Sequence, residues 1–88
     1  MTKSEEFIQK TYDVASELKI PLFDDTIHNK VKLNSNKAIT SIKFVYDTDE
    51  AIIRGFLGLA DYFHSIIIRE KDKFYIPNGK QLFSLEAA

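Results

Sequence analysis

The spacing of apolar residues changes along the chain, and each change predicts a new element of secondary structure. Thr2 and Glu5 have the spacing of a capping box, and the helical periodicity after them predicts an amphipathic helix over residues 3–19. Ile20-Pro21 ends this helix, and Leu22 to Asn29 reads as an ordered loop or a single helical turn. The predicted buried stripe of the helix is Phe7, Thr11, Val14, Ala15 and Leu18.

Two alternating segments precede the next helical pattern. Residues 30–33 and 38–46 alternate between polar and apolar side chains, and residues 34–37 between them have the composition of a turn. The two segments therefore predict a β-hairpin, with Ile42, Phe44 and Tyr46 on one face of its second strand.

Helical spacing returns between Asp47 and His64. Asp47 with Glu50 three residues later predicts the start of this second helix, with Asp47 as its N-cap. Its apolar positions cover most of the circumference, which predicts a central and mostly buried helix. The polar strip that remains consists of Glu50, Arg54 and Asp61.

From Ser65 to Leu85 the pattern alternates again, around a charged turn at Lys71-Asp72 and a second turn at Asn78-Gly79. This predicts a meander of three strands. The order α-β-β-α-β-β-β predicts an α+β fold, an antiparallel sheet of four to five strands with two helices packed on one face. We expect the second helix to face Ile42, Phe44, Ile66, Ile68, Phe74 and Ile76.

Length and composition narrow the class of protein. A chain of 88 residues predicts one domain over residues 1–88, because a second core would need more apolar surface. With no Cys, the chain has neither disulfides nor thiolate chemistry, and a reducing cytoplasm is the expected location. We expect no membrane association and no export signal, since Thr2 to Lys10 is charged and the apolar runs are short.

Catalytic and cofactor signatures are missing from the sequence. Three glycines form no phosphate-binding loop, and neither Ser41 nor Ser65 has the context of a nucleophile elbow. The most metal-like group is Asp24, Asp25 and His28, too few ligands to predict a metal site. We therefore predict no catalytic, cofactor-binding or metal-binding residues, and a protein that is not an enzyme.

Gly55 and Gly58 lie inside the second predicted helix, where each glycine lowers stability by about 1 kcal/mol relative to alanine. One interpretation is a smooth strip onto which a partner helix, a second copy of the chain or a ligand packs closely. The other is close contact with the protein's own first helix or sheet. The sequence alone favours this internal contact, because glycines within helices mostly serve packing.

Basic and aromatic residues alternate along the predicted meander. Converging at a hairpin tip, they could bind phosphates while the ring stacks on a base. The other interpretation is an edge hairpin whose lysines prevent aggregation. The net charge of −1 favours the second interpretation, because it provides no field toward nucleic acid. The residues concerned are Lys71, Lys73, Tyr75, Asn78 and Lys80.

Seven Phe and four Tyr exceed what one small core requires, so we expect some of them, among Tyr12, Tyr62 and Tyr75, to be surface anchors. These observations favour a small non-enzymatic cytoplasmic protein that regulates or inhibits a protein partner, for which a homodimer is one form. The Lys/Ile-rich, Trp-free composition is typical of a low-GC bacterium or its phage. The alternative is a winged-helix-like nucleic-acid binder using the Lys71 to Lys80 hairpin. The predicted contact residues are Lys71, Lys73, Tyr75, Asn78, Lys80, Gly55, Gly58 and Tyr62.

Overall fold

Two helices cover one face of a five-stranded sheet in a computed structural model, which describes residues 2–24 and 40–88. The α+β class and the predicted order of elements are confirmed. The predicted strand at residues 30–33 and the turn after it lie outside the described residues. The elements are α1 (Lys3–Leu18), β1 (Leu22–Asp24), β2 (Thr40–Tyr46), α2 (Glu50–Phe63), β3 (Ile67–Glu70), β4 (Lys73–Asn78) and β5 (Gln81–Ala87).

The strands lie in the order β1-β3-β4-β5-β2. The meander β3-β4-β5 is antiparallel, as predicted, whereas β1 runs parallel to β3 and β2 runs parallel to β5. The prediction of a purely antiparallel sheet is therefore wrong, and the sheet is mixed. Alternation shows which face a side chain takes but not the direction of the neighbouring strand. The segment Leu22–Asp24, predicted as a loop or helical turn, is a strand too short to show a period.

Both helices begin and end at residues with specific backbone roles. The capping box of α1 is confirmed, since the Thr2 hydroxyl accepts a hydrogen bond from the Glu5 N–H at 3.1 Å. The prediction that Asp47 is the N-cap of α2 is wrong. The N-cap is Asp49, whose carboxylate accepts a hydrogen bond from the Ala51 N–H at 3.0 Å. Each helix ends at a left-handed residue, Lys19 (φ 58°) or His64 (φ 54°), which closes the last turn.

Aromatic rings join the helices to the inner face of the sheet. Phe56 of α2 is fully buried, with its ring centroid 5.8 Å from that of Phe44 in an edge-on arrangement. Phe7 of α1 packs edge-on against Phe74 at 5.8 Å. The predicted stripe of α1 is buried except at Leu18, which is 41% exposed because it lies in the last turn.

Three consecutive isoleucines span the start of β3, with Ile66 just before the strand, and the predicted phase of this strand is wrong by one residue. Ile67 faces the helices and belongs to the core, whereas Ile66 is 39% exposed. Ile68 is buried on the opposite, outer face of the sheet, where it pairs with Tyr75. A run of identical apolar residues contains no alternation from which the phase of a strand can be read.

Candidate functional site

The exposed side of α2 consists of small residues and one tyrosine. At about 100° per residue, four positions fall within about 60° of one another on the helix circumference. They face away from the buried side of the helix, which Ile53, Phe56, Leu57 and Ala60 form. We call this strip the α2 surface; its residues are Ala51, Gly55, Gly58 and Tyr62, all exposed.

Within residues 2–24 and 40–88, no other part of the chain packs against the two glycines. A Cβ atom built on Gly55 or Gly58 would meet no atom of the described residues within 4 Å, apart from the adjoining residues and backbone of its own helix. The internal-contact interpretation of these glycines is therefore wrong, because neither α1 nor the sheet approaches them. The prediction of a helix buried around most of its circumference is also wrong, since glycine and alanine give this side an apolar pattern without burial.

Tyr62 is the most prominent side chain of the α2 surface. It is 76% exposed, and its ring contacts Phe63 edge-on with centroids 5.2 Å apart. The exposure predicted for Tyr62 is confirmed, whereas its role in binding remains a prediction. A large ring with a polar tip, standing beside two glycines, is an arrangement that suits contact with another protein.

Different chemistry lies on the two sides of the α2 surface. Half-buried Ile52 and Leu59 lie along one side, and Arg54 and Asp61 lie along the other. Arg54 donates from Nε to the Glu50 carboxylate at 2.8 Å and from Nη1 to Glu17 of α1. The hydrogen bond to Glu17, followed by the one to Glu50, raises the pKa of Arg54 above its ordinary value.

The meander lysines do not converge. Lys71 and Lys73 lie at one end of β4, and Asn78 and Lys80 lie at the other, roughly 17 Å away at about 3.4 Å per residue. The prediction that these residues converge at one hairpin tip is therefore wrong, because the two turns of a meander lie at opposite ends of its middle strand. The Asn78 amide donates to the Gln81 side chain at 3.2 Å, across the β4–β5 turn.

Lys73 is held by ion pairing on the outer face of the sheet. Its ammonium lies 3.4 Å from the Glu86 carboxylate, which is also 2.9 Å from Lys43. The hydrogen bond to Glu86 raises the pKa of Lys73, and the hydrogen bond from Lys43 lowers the pKa of Glu86. Tyr75 lies on the same face, half-buried, and burial raises the pKa of its hydroxyl.

Sequence reasoning missed a cleft between the start of α1 and the end of β2. Its volume is about 160 Å³, and Thr48 in its wall has a positive φ of 73°, which is unusual for a β-branched residue. Nothing in the residue types around Thr48 signals this conformation. The lining residues are Lys3, Glu6, Tyr46, Asp47, Thr48, Ala87 and Ala88.

Two further findings, on metal binding and on membrane spanning, apply to the described residues, 2–24 and 40–88. Within these ranges, no three His, Cys, Asp or Glu side chains are grouped so that they could hold a metal ion. The trio Asp24, Asp25 and His28 falls partly outside them. Neither of the two helices in these ranges has the length and apolar character needed to cross a membrane.

Comparison of the chain with protein-family models, with curated proteins and with solved structures found no match.

Proposed function

We propose that this protein acts by binding another protein through the α2 surface, as a regulator or inhibitor rather than an enzyme. The observation that carries the proposal is the open space around Gly55 and Gly58. Each glycine lowers the stability of the helix by about 0.5–1 kcal/mol relative to alanine, and no contact with the described parts of the chain compensates for this loss. Contact with a partner that approaches the helix backbone closely would compensate for it.

The exposed tyrosine supports the same proposal. Binding energy at protein interfaces concentrates in a few aromatic or arginine side chains near the centre of the contact. Tyr62 is such an anchor, and Arg54 at the edge of the surface is positioned by Glu17 and Glu50. We further propose a cytoplasmic location, which the absence of Cys from the sequence supports.

The test is affinity capture from a lysate of the cells that express the protein, quantified by mass spectrometry. Tyr62→Ala should reduce the capture of a specific partner, and affinity for the purified partner should fall about 30-fold, as expected for an interface hot spot. Val45→Ala, which shortens an exposed side chain on β2, is the matched control and should leave capture unchanged. Equal binding by the wild type and by Tyr62→Ala to every specific partner, a second copy of the chain included, would contradict the proposal.

A further inference from the structure

We infer that the α2 surface binds a second copy of this chain, with the two α2 helices antiparallel about a two-fold axis between Gly55 and Gly58. The inference rests on the proposed function and names the partner. The inference comes from where small, charged and apolar side chains lie on α2. In the antiparallel orientation, these positions on one copy of the helix complement those on the second copy. A contact related by a two-fold axis must place the same surface on both partners.

Residue sizes match along the centre of the contact. With the axis midway between the two glycines, Gly55 lies opposite Gly58 of the second copy, so that the two backbones can approach closely. The same arrangement places Ala51 opposite Tyr62 of the second copy. The large exposed ring therefore lies over the small methyl group of alanine rather than against another ring.

Charge is complementary on one side of the contact. This symmetry brings the Arg54 side of one helix against the Arg54 side of the other. Arg54 of one copy and Asp61 of the second copy then lie within about 3 Å of each other in position along the helix axis. The Asp61 carboxylate takes part in no hydrogen bond or ion pair within the described ranges. Arg54 donates from Nε and Nη1, so its Nη2 remains available as a donor to this carboxylate.

Apolar side chains meet on the other side of the contact. Ile52 of one copy and Leu59 of the second copy also lie within about 3 Å of each other in position along the helix axis. A parallel arrangement would instead place Arg54 and Asp61 against Ile52 and Leu59, and each Tyr62 beside another Tyr62. The pattern on α2 therefore favours the antiparallel dimer.

The first experiment is sedimentation velocity of the complete chain between roughly 1 and 500 µM, because one helix face is at the small end of specific interfaces. The wild type should form a dimer, and Gly58→Leu should be monomeric with an unchanged circular dichroism spectrum. Asp61→Arg should raise the dimer Kd about tenfold or more, because two ion pairs become repulsive. The matched control is Asp13→Arg, a charge reversal on the exposed side of α1, and it should not change the Kd.

Gly58→Ala covers the case in which leucine prevents folding. The added methyl group meets open space within one chain, so it should not lower the unfolding midpoint, yet it should weaken the dimer because it separates the two backbones. A purely structural role for Gly58 would not produce these opposite effects.

The orientation can be tested with disulfides, since the chain contains no Cys. Mild oxidation of mixed Ala51→Cys and Tyr62→Cys chains should link one variant to the other, while each variant alone stays unlinked. In the antiparallel dimer, two copies of position 51 are about 16 Å apart along the axis, too far for a disulfide. Links within each variant alone would indicate the parallel arrangement and overturn the register.

A wild type that is monomeric over the whole concentration range would overturn the inference of a second copy, as would a dimer insensitive to Gly58→Leu and Asp61→Arg. The proposed function fails by a different result. It fails if Tyr62→Ala retains every specific partner in the capture experiment and does not change self-association.

Discussion

Replacing both helix glycines by alanine should make the isolated chain more stable. Of the glycines, only Gly79 has a positive φ, so Gly55 and Gly58 have backbone conformations that alanine adopts without strain. Their new methyl groups would meet no other side chain of the described residues within 4 Å. Each substitution should therefore raise the free energy of unfolding by about 0.5–1 kcal/mol, because alanine reduces the conformational freedom of the unfolded chain.

The two effects should add to about 1–2 kcal/mol, since both act through the conformational freedom of the unfolded chain. For a domain of this size, the sum corresponds to a rise in Tm of about 4–16 °C. Thermal unfolding followed by circular dichroism measures it, at the lowest usable protein concentration so that self-association does not contribute. Gly79→Ala is the control: at φ +61° the same substitution should destabilise by about 1 kcal/mol. No gain for the pair at positions 55 and 58 would mean that the α2 surface is already in contact with the rest of the chain.

Two further predictions concern the core and the ion pairs. Phe56→Ala should lower the free energy of unfolding by about 3–5 kcal/mol, because it removes a fully buried ring; a loss below about 1 kcal/mol in urea melts would contradict this burial. Acid should destabilise the protein below about pH 4.5, the ordinary pKa of Glu50 and Glu86. Hydrogen bonds from Arg54 and Lys43 respectively lower the pKa values of these two carboxylates in the folded state. The ionised carboxylates therefore stabilise the fold above pH 4.5, and this stabilisation is lost as the pH falls through the folded-state pKa values. Urea midpoints measured from pH 6 to pH 3 should show a shallower decline for Glu86→Gln, and an identical decline would contradict the prediction.

Periodicity predicted both helices, β2 and the meander because most of these elements bury mainly one side. The meander, the inner face of β2 and the stripe of α1 follow from residues such as Phe44, Phe74 and Phe7 recurring at the period of their element. The direction of β1 and β2 could not be predicted, since strand pairing joins residues that are distant in sequence. The phase of β3 failed for a local reason, because Ile66, Ile67 and Ile68 are identical.

The candidate site was partly readable from the sequence. Gly55, Gly58 and Tyr62 were identified, but Ala51 was not, although a helical projection places it on the same side as the other three. Glycine and alanine were counted with the apolar residues that fill a core, which predicted burial where the structure has an exposed strip. Whether a small residue is buried or exposed depends on which neighbours pack beside it, and periodicity does not contain that information.

The position of β5 has a consequence for how the chain acquires its structure. β5 lies between β4 and β2, although it follows both along the chain, and its Phe83 and Leu85 belong to the core. Until β5 is present, β2 has no neighbour among the described strands. A growing chain therefore cannot assemble this sheet strand by strand in the order of synthesis, and β2 lacks its partner strand until residues 81–87 have been synthesised. Folding of this sheet therefore waits for β5, and a chain that lacks this strand is more prone to aggregation.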